Sequence, residues 1–230
     1  MNEIIVNEVL FFSHIVVVIL FLLVALRLGK NYLFAICILG SVLANLFVIK
    51  QIDLFHKTVT STDVFIIAAI FSENLLQEYF GKKEALKAIK ISFFSMLFFI
   101  VMAKVHLLYT PSVFDNSHSS FLTILSATPR IMLSSIFVFF LAQRLDVLFF
   151  AFLKKLFNAK YLPLRMVISS VIVQLIDTVL FSYLALFGKV HQILDIIFFS
   201  FLIKSLVIIL IAPFMKFSKF FMKKESYDEI

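Results

Sequence analysis

An acid in the middle of an apolar stretch is where this chain carries the most chemistry. Glu73 lies within residues 64–80, with Asn74, Gln77 and Glu78 beside it. A carboxylate at the centre of a spanning helix costs about 2.5–3.5 kcal/mol on insertion scales, so it is rarely kept without a partner or a use. Two further apolar stretches carry Asp177 and Lys204. A buried carboxylate accepts paired N–H donors, and a lysine meets an acceptor or holds an acid charged. Such residues can serve a function at depth, or they can neutralise one another in a buried structural ion network. Both readings stay open for Glu73, Asp177 and Lys204.

Spacing sharpens the picture. Ser170, Gln174, Asp177 and Phe181 follow an i, i+4, i+7, i+11 pattern, one helix face with polar groups and an aromatic. Gln143 and Asp146 share a face, as do Asn74 and Glu78, and Glu73 and Gln77. Glu73 and Glu78 lie about 140° apart on a helical wheel and so serve different surroundings. By depth, Glu73 and Lys204 fall near the midplane and Asp177 somewhat outward. Arg130 guards the outer start of its span, and Glu78, Arg144, Asp146 and Arg165 form an inner layer. For that inner layer structural pairing or snorkelling remains open, and for Asn74 a role as interhelical glue.

The elements that must position these residues are membrane helices. The chain is 62% hydrophobic, with 31 Phe and no Trp, and its mean hydropathy is +1.07. Apolar runs bounded by charge predict an all-α, polytopic bundle of seven spans, at about 9–27, 31–49, 60–80, 88–108, 130–152, 163–187 and 194–215. Each is near the ~20 residues needed to cross a bilayer. Residues 1–230 are expected to form a single membrane domain without a soluble one and without a cleaved signal peptide, since Glu3 and Glu8 replace a basic leader. Pro163 suits a first helical turn, and Pro213 is expected to kink the end of the last span. The connection 109–129 is long, and its apolar second half is expected to lie on or dip into the membrane.

The net charge of +7 does not point to nucleic acid, because the basic residues sit at span ends. With the N-terminus outside, the cytoplasmic side receives Arg27, Lys30, Lys82, Lys83, Lys87, Lys90, Lys154, Lys155, Lys160, Arg165, Lys216, Lys219, Lys223 and Lys224. The outer side receives Lys50, Lys57, Lys104, Arg130 and Lys189. That bias predicts an N-out, C-in protein of the cell inner membrane.

Several classes drop out. The single cysteine, Cys37, excludes an internal disulfide and a Cys-based metal site, and His14, His106 and His191 lack metal-ligand spacing. No nucleophile elbow, phosphate loop or cofactor fingerprint is present, so neither an enzyme nor a bound cofactor is expected. A channel would favour rings of repeated polar groups. A small transporter with a polar pocket at mid-membrane fits best.

More specifically, residues 72–85 (SENLLQEYFGKKEA) resemble the "D-x-x-x-E-x-Y-G-x-x-x-A" hallmark of the queuosine precursor transporter family, also described as vitamin-uptake-transporter-like. Three further stretches resemble it in order and spacing: Pro129-Arg130-Ile131 through Gln143–Val147, Leu164-Arg165 through Gln174–Thr178, and Lys204. Glu73 stands where the family usually has Asp. The resemblance implies uptake of a 7-deazaguanine (the 7-cyano form, the 7-aminomethyl form, or queuine) for salvage into tRNA. It implies a substrate site of Glu73, Asn74, Gln174, Asp177, Phe181 and Lys204, with Arg130, Glu78, Gln143, Asp146 and Arg165 as entrance or charge network. Glu73 or Asp177 would read the donor edge and Phe181 or Tyr183 would stack on the ring. The expected partners are a small heterocycle and the lipid bilayer. Two alternatives stand beside this: a substrate-binding membrane subunit driven by a separate energising complex, and a structural or assembly membrane protein.

Overall fold

The computed structural model describes residues 3–47, 50–55, 57–60, 62–126, 129–188 and 193–221. Its frame is seven long helices: α1 (Glu3–Leu28), α2 (Lys30–Leu46), α3 (Asp63–Phe80), α4 (Lys82–His106), α6 (Pro129–Leu156), α7 (Leu162–Phe181) and α8 (Ile193–Ile211). Between them lie a hairpin of β1 (Gln51–Leu54) and β2 (Lys57–Thr60), a short α5 (His118–Leu125), and a terminal α9 (Ser218–Phe221). The hairpin pairs antiparallel from Gln51↔Thr60 to Leu54↔Lys57, and Asn7 Nδ2 donates to Asp53 O at 3.0 Å, tying it to α1. Lys189 and His191, and Lys223 and Lys224 of the tail, lie outside the described residues.

Apart from this hairpin, the chain is an all-α membrane bundle. Among the described residues, five stretches are long and apolar enough to cross a membrane: Val6–Leu28, Lys82–His106, Leu133–Leu156, Leu162–Ala185 and Ile193–Phe221. α2 is shorter, at 17 residues. α3 is the most buried helix, and Asp63, Glu73 and Glu78 give it a polar side. It is enclosed by α1, α2, α4, α6, α7 and α8, so its polar groups face protein while the outer helices turn Phe21, Phe94, Phe98, Phe137, Phe152 and Phe198 outward.

Small residues let α2 and α3 approach. α2 buries Leu33, Cys37, Gly40, Ser41 and Ala44 on one face. A Cβ at Gly40 would stand 2.8 Å from the Phe65 carbonyl, so no larger residue fits without moving α3. Ser72 Oγ donates to Leu33 O at 2.6 Å across the same seam. Small residues at the seam, with a hydroxyl donating across it, are the usual adhesive where water supplies no drive between helices. The turn from α3 to α4 is the single residue Gly81 at φ 90°, a conformation open to glycine without a steric penalty.

Two ends depart from regular α-helix. α7 runs into a π-helical turn, Ser182–Leu186. α8 gives way at Pro213 to a 3-10 segment, Ala212–Phe217, a tightening at the place where a kink was expected. The apolar part of the 109–129 connection forms α5, which buries none of its own residues.

Candidate functional site

The polar side chains fall into three layers along α3. The layer nearest its C-terminus is an ion network. Arg165, fully buried, donates from Nη1 to Glu78 Oε2 at 3.1 Å and from Nη2 to Glu78 Oε1 at 2.8 Å. Lys154 Nζ reaches Glu78 Oε2 at 3.1 Å. Arg165 also donates to Lys160 O at 2.9 Å and Ala159 O at 3.3 Å, and its guanidinium lies 5.0 Å from the Phe150 ring centre. Asn158, Ala159 and Tyr161 of that loop have positive φ, a strained choice for residues with a Cβ; the arginine's grip on two loop carbonyls offsets it.

The middle layer is different. Glu73, Asn74 and Gln77 of α3, Gln143 and Asp146 of α6, and Ser169, Ser170 and Gln174 of α7 are all buried. Gln77 Nε2 donates to Val147 O at 2.9 Å, which fixes its amide with Oε1 turned the other way. Asn74 Nδ2 donates to Ser170 Oγ at 3.4 Å and also faces Asp146. Ser169 Oγ donates to Asp146 Oδ1 at 2.5 Å. What remains is a set of buried atoms without hydrogen-bond partners: both oxygens of Glu73, Asn74 Oδ1, Gln77 Oε1, Asp146 Oδ2, Gln174 Oε1 and one nitrogen, Gln143 Nε2. Leaving a buried polar group unpaired costs about 1–3 kcal/mol each. Their concentration on three helices makes this layer the candidate site, because unpaired buried polar groups are few in folded proteins and are costly where they occur.

The layer nearest the N-terminus of α3 is a second ion cluster. Lys204 Nζ donates to Asp177 Oδ2 at 2.6 Å and to Thr178 Oγ1 at 3.2 Å. Asp63, buried in the first turn of α3, acts on both by its charge. Asp63 precedes Glu73 by about 15 Å of helix.

The structure therefore divides the residues that the sequence grouped as one site. Glu73, Asn74 and Asp146 come together, and Gln143 and Gln174 are buried one turn away, on α6 and α7. Asp177 and Lys204 form a separate pair toward the hairpin end, and Glu78 and Arg165 another at the opposite end. Phe181 lines a small cleft with Asn45, Phe99 and Ser135, where Ser135 Oγ donates to Asn45 Oδ1 at 2.6 Å. Arg130 is exposed and donates to the carbonyls of Leu184 at 2.7 Å and Tyr183 at 3.4 Å, closing the π-helical turn. Arg144 lies against the Phe140 ring, 4.6 Å from its centre. Sequence reasoning left Gln77, Ser169 and Asp63 out of the site; the i, i+4 relation of Gln77 to Glu73 was the signal for the first.

Known proteins give this geometry a family. A model described as "Putative vitamin uptake transporter" matches residues 60–217, which contain all three layers. A "Probable queuosine precursor transporter" of Bacillus subtilis (strain 168) is 31% identical over 204 residues, covering 87% of this chain and 88% of the relative. No solved structure matches. The chain belongs to this family of vitamin uptake transporters.

Proposed function

We propose that this chain carries a queuosine precursor, a 7-deazaguanine base, across the cell inner membrane for use in tRNA modification. Membership of a transporter family makes it a carrier and not an enzyme, and the name of the Bacillus subtilis relative supplies the class of cargo. The observation that carries the reading is the middle layer. A guanine-type edge offers N1–H and an exocyclic amine, two parallel donors that one carboxylate accepts together, and a carbonyl that Gln143 Nε2 can meet. The unpartnered oxygens of Glu73 and Asp146 and the Gln143 nitrogen supply that complement. Gln174, Asn74 and Gln77 have acceptors left for the ring N–H.

Residues 1–230 act as one membrane domain of seven spans, with the N-terminus outside and the C-terminus in the cytoplasm, as the basic residues favour. The Asp63–Asp177–Lys204 cluster then closes the outer side and the Glu78–Arg165–Lys154 network the inner side. Alternate loosening of the two layers would expose the middle one to each side in turn, by rocking of helices about a fixed site.

The test is complementation of a bacterium that lacks both precursor synthesis and its own importer. Each precursor is fed at low concentration, together with the insertion enzyme it requires, and queuosine is assayed in tRNA. Restored queuosine supports the reading. Correct membrane insertion without restoration by any precursor would overturn it.

A further inference from the structure

Among the described residues, the middle layer holds two carboxylates and no cation. Glu73 is fully buried with both oxygens unpartnered, and Asp146 is fully buried with Oδ2 unpartnered. They are close enough for the charge of one to oppose the other. The buried cations are committed elsewhere, Arg165 to Glu78 and Lys204 to Asp177. Among the described residues neither Glu73 nor Asp146 makes a salt bridge. Six of the seven unpartnered atoms in this layer are acceptors, and amide orientation does not change the imbalance at Glu73, Asp146 or Gln77.

One guanine-type edge engages one carboxylate with its two donors. The second carboxylate is then available to a group that projects from the ring. A nitrile there presents only an acceptor, and its nitrogen would meet oxygens. An ammonium presents donors and a positive charge, and it neutralises a buried acid that no protein group neutralises.

We propose that the site selects 7-deazaguanines whose 7-substituent is an aminomethyl cation, primary or secondary, over the neutral 7-cyano form. This rests on the transport reading above. One of Glu73 and Asp146 takes the N1–H and exocyclic amine, and the other takes the ammonium. Asn74, Gln77 and Gln174 provide further acceptors around it, and Gln143 donates to the ring carbonyl. The arrangement also explains why two acids are placed together without a base: the base arrives with the cargo.

The experiment compares dissociation constants of four probes with the full-length protein in detergent: 7-aminomethyl-7-deazaguanine, queuine, 7-cyano-7-deazaguanine, and the aminomethyl base acetylated on its side-chain nitrogen. A charge-assisted hydrogen bond to a buried acid corresponds to roughly 10- to 100-fold in affinity. The two amines are therefore expected to bind at least about tenfold more tightly than the nitrile and the neutral acetamide. Binding of the nitrile within about threefold of the primary amine would overturn the selectivity and leave the transport reading intact. Equal binding of the acetamide and the primary amine would also overturn it, since acetylation removes the positive charge. If none of the four binds, both the selectivity and the assignment of the site fall.

Discussion

Replacing Glu73 with methionine should make the protein more stable and less useful. The side chain is fully buried, its two oxygens have no partner, and Asp146 opposes it. A single unsatisfied buried group costs about 1–3 kcal/mol, and charged groups cost more. Methionine is of similar length and flexible, so repacking costs less than about 1.5 kcal/mol. The balance is a gain of about 1–2 kcal/mol for Glu73→Met. Equilibrium unfolding in mixed micelles with increasing SDS measures it, and tRNA queuosine in the complementation strain measures function. Expected is a higher unfolding midpoint together with lost uptake, the trade-off of a site held for function. A loss of more than about 1 kcal/mol would refute the reasoning, because a destabilised variant means that Glu73 serves a structural partner.

The other layers should respond in the opposite sense. Arg165→Met leaves Glu78 with Lys154 alone and frees two loop carbonyls, so a loss of about 3 kcal/mol is expected in the same unfolding assay. Arg165→Lys should recover little of it, because one ammonium cannot reproduce the two-pronged contact with Glu78. Gly40→Val pushes a side chain into the Phe65 carbonyl, where the added Cβ would lie at 2.8 Å, and should cost about 1–3 kcal/mol by forcing α2 from α3. Cys37, the single cysteine, is fully buried and close enough to Glu73 to feel its charge. Maleimide labelling there should be slow, and slower still with bound 7-deazaguanine; a rate indifferent to ligand would count against a site at this position.

Much of the frame was legible in the sequence because lipid imposes one rule: a helix must present about 20 apolar residues to cross. The runs ending at residues 27, 80, 108 and 152 obey it, and the helices end within a few residues of them, at Leu28, Phe80, His106 and Leu156. The i, i+4 spacing of Ser170 and Gln174 likewise put both on a buried face of α7, from which Ser170 accepts a hydrogen bond from Asn74 of α3. Depth counted from the backbone was less reliable. Lys204 and Glu73 have similar positions along their helices, yet the side chain of Lys204 meets Asp177 rather than Glu73. Helical side chains lean toward their own N-terminus, and a lysine is long enough to change level. Asp63 was invisible for another reason. An acid in the first turn of a helix is ordinarily explained by the helix dipole, and only the packing of α3 against α8 reveals its lysine. The hairpin at 51–60 was hidden because two four-residue strands between helices read as a polar junction.

The most direct test of the account is uptake by purified protein in liposomes loaded with buffer alone, using tritiated 7-aminomethyl-7-deazaguanine, for the natural chain and Glu73→Gln side by side. The amide keeps the shape of the carboxylate but replaces one acceptor oxygen with a donor. The account predicts saturable uptake by the natural chain and a loss of about tenfold or more in the variant at equal folded protein. Equal uptake by the two proteins would contradict it.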